Sequence, residues 1–410
     1  MEYRPRRAEA LSKTPDAALA HAECKPAAAD KIPSRRGVHR SSMHILVTTD
    51  TVGGVWSYTR ELVTGLVARG IRVTLVSFGG VPSRAQRAWM AGLHGVRYYP
   101  TGFRLEWMQD SEEDVSDSAR YLLRVIGECK PDLLHLSQYC FGAIEVGLPK
   151  LMVAHSDVMS WSQEVRGEEP RDAWAEWYRG IVERGVAGAT TLVAPSRWML
   201  DHFEGCYGRH RRSCVIYNGR TPALFNPTAG KQSFAASAGR LWDEGKQTRL
   251  LLRLDAPLPI HLVGSTSLAG DSSVVPVGAE ENASNVRFEG QLDETGMCEL
   301  LSRAAIYIAP SRYEPFGLAP LEAALSRCAI VANDIPSFQE VWGDAAVYFR
   351  RDDVGSLREV LARLQENPSM LTEYANRAHG RALERYSAER MVDEYMQLYS
   401  ALLEQRASAA

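Results

Sequence analysis

Two glutamates, Glu314 and Glu322, enclose the run Glu-Pro-Phe-Gly-Leu-Ala-Pro-Leu-Glu. An apolar run from Ala304 to Ala309 precedes it and ends at Pro310, and a segment with helical periodicity, Leu318 to Cys328, follows. The spacing predicts a buried strand, a turn bearing Gly317, and a helix. A helix N-terminus offers unpaired N–H groups and partial positive charge to phosphate. Carboxylates accept hydrogen bonds from sugar hydroxyls. Such a turn suits a phosphorylated, polyhydroxylated ligand. In the plainer reading Glu322 complements the helix dipole, Glu314 accepts a loop hydrogen bond, and Pro320 marks an ordinary helix start. The strand, the glycine and the two acids together favour the ligand.

Three other places carry chemistry. Gly53-Gly54 lies between a strand and a helix and permits close backbone approach to a ligand, although it lacks the G-x-G-x-x-G spacing and also fits simple turn chemistry. Ala238-Gly239-Arg240-Leu241-Trp242-Asp243-Glu244-Gly245-Lys246 directly follows a strand. Arg240 and Lys246 there can hold a diphosphate, or be solvated beside Asp243 and Glu244. His155, followed by Ser156 and Asp157, ends the strand candidate Leu151 to Ala154 and so faces the cleft expected beyond strand carboxyl ends, although a lone histidine is more often structural or merely exposed. His135, inside Leu134-His135-Leu136, reads instead as a satisfied core histidine. Asp50 ends the first strand, but nothing near it in sequence orients it as a base. No H-E-x-x-H pattern or clustered Asp/His suggests a metal, and no G-x-S-x-G nucleophile elbow occurs.

The elements that position these residues alternate. His44 to Thr49 reads as a strand, Val55 to Val67 as an amphipathic helix closed by Gly70, and Ile71 to Val76 as the next strand, which is a parallel crossover unit. Further strands are expected at 132–136, 151–154, 191–194 and 214–217, with helices near 112–129, 172–187 and 197–205. A second series starts at 233–237 and continues through 260–263, 286–288, 306–309, 329–332 and 346–349. Helices are expected at 368–384 and 387–404. The fold class is therefore α/β, with two doubly wound parallel sheets and an interdomain cleft. The expected boundaries are 1–42, a disordered extension (or an over-long start before Met43); 43–226, the first domain; 227–385, the second; and 386–410, a helix returning toward the first domain. Residues 265–285 read as a polar surface loop.

At 410 residues the chain suits two domains, with 45% hydrophobic and 24% charged residues. A formal net charge of −3 excludes nucleic-acid binding by bulk positive charge. Seven cysteines, odd in number and without a C-x-x-C pair, fit a reduced cytoplasmic protein. No apolar run approaches the roughly 20 residues needed to span a bilayer.

The segment Pro310 through Glu322 resembles the E-x7-E signature of retaining family 4 glycosyltransferases, enzymes of the GT-B fold with two facing Rossmann-like domains. Gly53-Gly54, His155-Ser156-Asp157, Asn218-Gly219 and Gly239-Arg240 with Lys246 follow the same family's order. The resemblance covers about 43–405 and implies a nucleoside-diphosphate sugar as donor substrate, with no cofactor and no metal. Arg240 and Lys246 would neutralise the donor diphosphate, aided by the Gly317 and Leu318 N–H groups. Glu322 would accept from the nucleotide ribose. Glu314, with the backbone around Phe316, would hold the donor sugar, and His155 would reach it from the opposite domain. Gly53 and Gly54 would approach the donor phosphates or the acceptor. The acceptor is left open among carbohydrate, lipid-linked and small-molecule hydroxyls, with Trp56, Trp161 and Glu164 in the loops that would recognise it. Peripheral association with the inner face of the membrane stays open too. A nucleotide-sugar epimerase of the same fold and a non-catalytic nucleotide-sugar-binding subunit are the alternatives.

Overall fold

Thirteen strands form two sheets in a computed structural model that describes residues 43–267 and 285–409. The predicted extension 1–42 and most of the predicted loop 265–285 lie outside the described residues. The first sheet contains β1 (His44–Asp50), β2 (Arg72–Phe78), β3 (Val96–Pro100), β4 (Leu133–Leu136), β5 (Lys150–Val153), β6 (Thr191–Ala194) and β7 (Ser213–Val215), in the order β3-β2-β1-β4-β5-β6-β7. The second contains β8 (Gln232–Ala238), β9 (Ile260–Val263), β10 (Val286–Gly290), β11 (Ala304–Ala309), β12 (Ala329–Asn333) and β13 (Val347–Phe349), in the order β10-β9-β8-β11-β12-β13. Pairing is parallel throughout. Helices cover both faces, so central strands are apolar on both sides: Ile45, Leu46 and Val47 are all fully buried.

Strand order reverses between β1 and β4, and again between β8 and β11. In open parallel sheets that reversal opens a crevice beyond the carboxyl ends of the strands. The loops that leave β1, β8 and β11 are the ones carrying Gly53-Gly54, Arg240 with Lys246, and Glu314.

Three local differences from the sequence reading have physical causes. β3 was not foreseen, because Val-Arg-Tyr-Tyr-Pro at a half-exposed sheet edge lacks a continuous apolar run. The helix after Gly317 ends at Leu325, short of Cys328, where Arg327 turns left-handed at φ 61° and the Cys328 amide bonds Ala323. The seventh strand is shorter than expected and ends at Val215, freeing Tyr217 to Arg220 to cross between the sheets.

The chain crosses twice between the domains, and the two crossings touch. The Arg220 N–H donates to the Tyr386 carbonyl and the Ala388 N–H to the Arg220 carbonyl, each at 3.0 Å. Gly219 permits this approach, since a Cβ there would lie 2.3 Å from the Ser387 carbonyl oxygen. Beyond the second crossing, the helix Ala388–Ala409 packs on the first sheet, where Val392, Tyr395 and Tyr399 share a core with Val47, Tyr58 and Leu62. His135 is buried in that core, with Tyr58 Oη 3.1 Å from its Nε2 and Tyr399 Oη 2.7 Å from its Nδ1.

Two stability measurements follow from these contacts. Gly219→Ala should cost about 1–3 kcal/mol, because the clashing neighbour is backbone and cannot rotate away; urea midpoints at unchanged m-value would read it. Burial, with a smaller contribution from His155, lowers the His135 pKa from 6.5 to about 3. Below pH 6.5 the unfolded chain takes up a proton that the fold refuses, so stability falls with pH between those values, by about 1.4 kcal/mol per unit from this group. His135→Gln should flatten part of that slope in urea titrations from pH 4 to 7, and an unchanged slope would contradict this assignment.

Candidate active site

Two helices begin at the cleft without a side-chain cap. One, Gly54–Ala68, starts from Gly53 at φ 92°; the other, Leu318–Leu325, starts from Gly317 at φ 91°. They face each other, since a Cβ on Gly54 would lie 3.6 Å from Leu318 Cδ1. At Gly317 a side chain would press on Pro320 Cγ at 3.2 Å and Glu314 Cγ at 3.3 Å, and would be strained by the left-handed backbone. Glycine therefore leaves the first-turn amides of both helices uncovered, with aligned peptide dipoles behind them.

Beside these termini lies a small recess between the carboxyl ends of β8 and β11, lined by Gly239, Lys246, Thr248, Ser311, Glu314 and Pro320. Lys246 and Glu314 meet in it: Nζ lies 2.6 Å from Oε2, and Ser311 Oγ donates to the same oxygen at 3.2 Å. The two residues were expected to serve diphosphate and sugar separately, and here they hold each other. Both are partly buried. A ligand carrying phosphate and hydroxyls offers each of them an equivalent partner.

Arg240 pairs with Asp243 Oδ2 at 2.7 Å and lies against the Trp242 ring. The other oxygen of Asp243 accepts from the Trp161 indole at 3.1 Å and from the Gly245 amide at 2.9 Å. Arg240 also faces Asp50 of the first domain, whose carboxyl burial raises to about 7 despite the Val52 N–H at 2.9 Å and the Arg240 charge. Val52 is thus the orienting partner that the sequence did not reveal for Asp50.

His155 stands at the end of β5, partly buried. Its Nε2 is 3.4 Å from Ser137 Oγ, and its ring meets the Tyr58 ring edge-on at 4.6 Å. Both partners belong to the first domain. Burial lowers its pKa to about 3, so the imidazole is neutral at physiological pH. The Phe316 ring is buried against Tyr386, which leaves only backbone at that position for a ligand. Glu322 lies one helical turn inside Leu318–Leu325, with Oε1 2.9 Å from Arg220 Nε.

Sequence reasoning missed the residues that close the cleft. Tyr313, next to Glu314, inserts into the first-domain core, where its hydroxyl is 2.8 Å from Ser160 Oγ and 3.4 Å from the Asp157 amide. Glu340 accepts from the Arg197 and Trp198 amides at 2.7 and 2.8 Å, capping a first-domain helix from the second domain. Glu164 joins His202 at 2.9 Å to Arg351 at 3.0 Å, again across the domains. Trp161 and Glu164, assigned by sequence to acceptor loops, are thus engaged by the second domain, while Trp56 bonds the Gln86 carbonyl at 3.2 Å. Only long-range pairing would have revealed these roles, and no local pattern encodes it.

Residues 52–223 match Glycosyltransferase Family 4 and residues 258–381 match Glycosyl transferases group 1. The chain is 23% identical over 386 residues to O-antigen chain mannosyltransferase C of Escherichia coli, covering 89% of this chain and 99% of that one. It is 26% identical over 206 residues to an O-antigen chain mannosyltransferase of Salmonella typhimurium, covering 49% of this chain and 58% of the relative. The sucrose-phosphate synthase structure from Thermosynechococcus elongatus superposes with a TM-score of 0.72 at 17% identity, over 88% of this chain and 100% of that one. With two facing parallel-sheet domains and matches in both, the chain belongs to the family 4 glycosyltransferases and has the GT-B fold.

Proposed function

We propose that the protein moves a hexose from a nucleoside-diphosphate sugar to an acceptor hydroxyl, with retention of anomeric configuration and without a metal ion, in polysaccharide or glycoconjugate synthesis. The observation that carries this reading is the convergence of Arg240, Lys246 and two uncapped helix N-termini on one cleft. The mannosyltransferase relatives make mannose the first donor sugar to try. The six cysteines among the described residues form no disulfide with one another, which fits work in a reducing cytoplasm. No helix among the described residues is long and apolar enough to cross a membrane, so contact with a lipid-linked acceptor would be peripheral.

The chemistry follows from where charge develops. Breaking the anomeric C–O bond leaves its electron pair on the diphosphate and gives the sugar oxocarbenium character. Fixed cations and helix amides around the diphosphate stabilise that charge without reorganising. The acceptor oxygen bonds the anomeric carbon on the face the diphosphate leaves, and the acceptor proton passes to a leaving phosphate oxygen. Glu314 holds sugar hydroxyls once the diphosphate has drawn Lys246 away from it. A neutral His155 serves as a hydrogen-bonding partner for the sugar.

A thermal-shift panel of nucleotide sugars selects the donor, since a specific ligand raises the melting temperature by mass action. With that donor, Lys246→Ala and Glu314→Ala should each lower transfer at least about tenfold. Near-normal turnover in a folded variant removes that residue from the site. Activity should be undiminished in EDTA, and strict dependence on a divalent ion would overturn the mechanism. Product analysis separates transfer from epimerisation, which would release an altered free sugar nucleotide.

A further inference from the structure

We infer that Arg220 is a positioning residue for the nucleotide, holding the Glu322 carboxyl aimed so that it can accept the ribose hydroxyls. This rests on the proposed placement of the nucleotide ribose at Glu322.

Arg220 is 3% exposed and sits where the two interdomain crossings bond to each other. It faces three carboxylates from three helices: Glu61 Oε1 at 2.5 Å, Glu294 Oε1 at 2.9 Å and Glu322 Oε1 at 2.9 Å. Arg60 joins the group by pairing with Glu294 and by lying 3.5 Å from Glu61. Thr221 Oγ1 donates to the remaining oxygen of Glu61 at 2.6 Å. Burial opposes the Arg220 charge, but Glu322, Glu61 and Glu294 overcome it and raise its pKa. A buried guanidinium so enclosed has a fixed geometry.

The contact with Glu322 differs from the other two. Arg220 Nε reaches Glu322 by distance, yet the N–H is not aligned for a hydrogen bond. Among the described residues no donor hydrogen-bonds to the Glu322 carboxylate, which keeps 12% exposure. Arg220 therefore supplies charge to Glu322 without occupying its lone pairs, and leaves them for a ligand with hydroxyls. Burial dominates and holds the Glu322 carboxyl above its ordinary pKa; Arg220 is the largest group opposing that rise, followed by Arg60, while Glu294 and Glu61 add to it. Cys298 and Tyr307 also face it. Without Arg220 the carboxyl would hold its proton to higher pH, and a protonated acid loses half of its acceptor character.

The test compares binding of uridine, guanosine and adenosine diphosphates with their 2′-deoxy and 3′-deoxy forms by calorimetry. Wild type should prefer the ribose form of its nucleotide by about tenfold or more, the value of a hydrogen bond to a charged group. Glu322→Gln should abolish that preference. Arg220→Met should remove most of it at pH 7 and regain part as the pH is raised, as Glu322 ionises unaided. Arg220→Met combined with Glu294→Gln removes one charge of each sign and guards against misfolding from an unbalanced cluster. It should show the same loss of preference, and Arg220→Lys should keep part of it. A folded Arg220→Met/Glu294→Gln protein with wild-type preference at pH 7 overturns the inference. If Glu322→Gln itself keeps the preference, or no nucleotide binds, the placement of the ribose fails instead.

Discussion

An α-helix that starts from a glycine leaves its first amides without a side-chain partner, and the cleft is organised around two such starts. At Gly317 the positive φ and the crowding by Pro320 and Glu314 admit only glycine. A capping serine or aspartate would stabilise the helix by about 1 kcal/mol, and would also cover the amides that are now open to the cleft. The fold accepts a weaker helix end in exchange for a preorganised positive field. The strand reversals beside β1 and β8 then bring the two fields face to face.

The surrounding charges are arranged in self-satisfied pairs. Lys246 holds Glu314, Arg240 holds Asp243, and Arg220 is shared among three glutamates. Unpaired, each of these partly buried groups would be costly, and paired they can wait without distorting the cleft. The pairs differ in how easily they exchange. Lys246 is a single flexible cation at the recess, whereas Arg220 is locked by backbone and side chain alike. One is suited to changing partners during a reaction and the other to staying still.

Much of this architecture was legible in the sequence because parallel sheets covered on both faces write themselves as apolar runs. The strands through Ile45, Ile306 and Ile330 are of that kind, and the turn at Glu314 was readable from its glycine and flanking acids. β3 was not, because an edge strand such as Val96–Pro100 needs no apolar continuity. Pairing between distant residues was equally hidden. Asn218-Gly219 was recognisable as a turn, but Arg220 beside it gave no sign of its partners, which come from three helices in two domains. His135 was readable as a core residue from its neighbours, although the tyrosines that satisfy it lie in distant helices. Periodicity reports which face a residue occupies, and says nothing about whom it meets there.

Tyr313 gives the cleft a detent. Its ring lies in the core of the opposite domain while the next residue, Glu314, lines the recess. Withdrawing that ring into water would cost about 2 kcal/mol of apolar burial, besides its hydrogen bond to Ser160. Parting the domains is therefore a step rather than a drift, and the same step must carry the adjacent carboxylate with it. The distance between the domains and the position of the carboxylate in the recess become one coordinate. An open molecule would be not merely a wider version of this one but one whose recess has lost its shape.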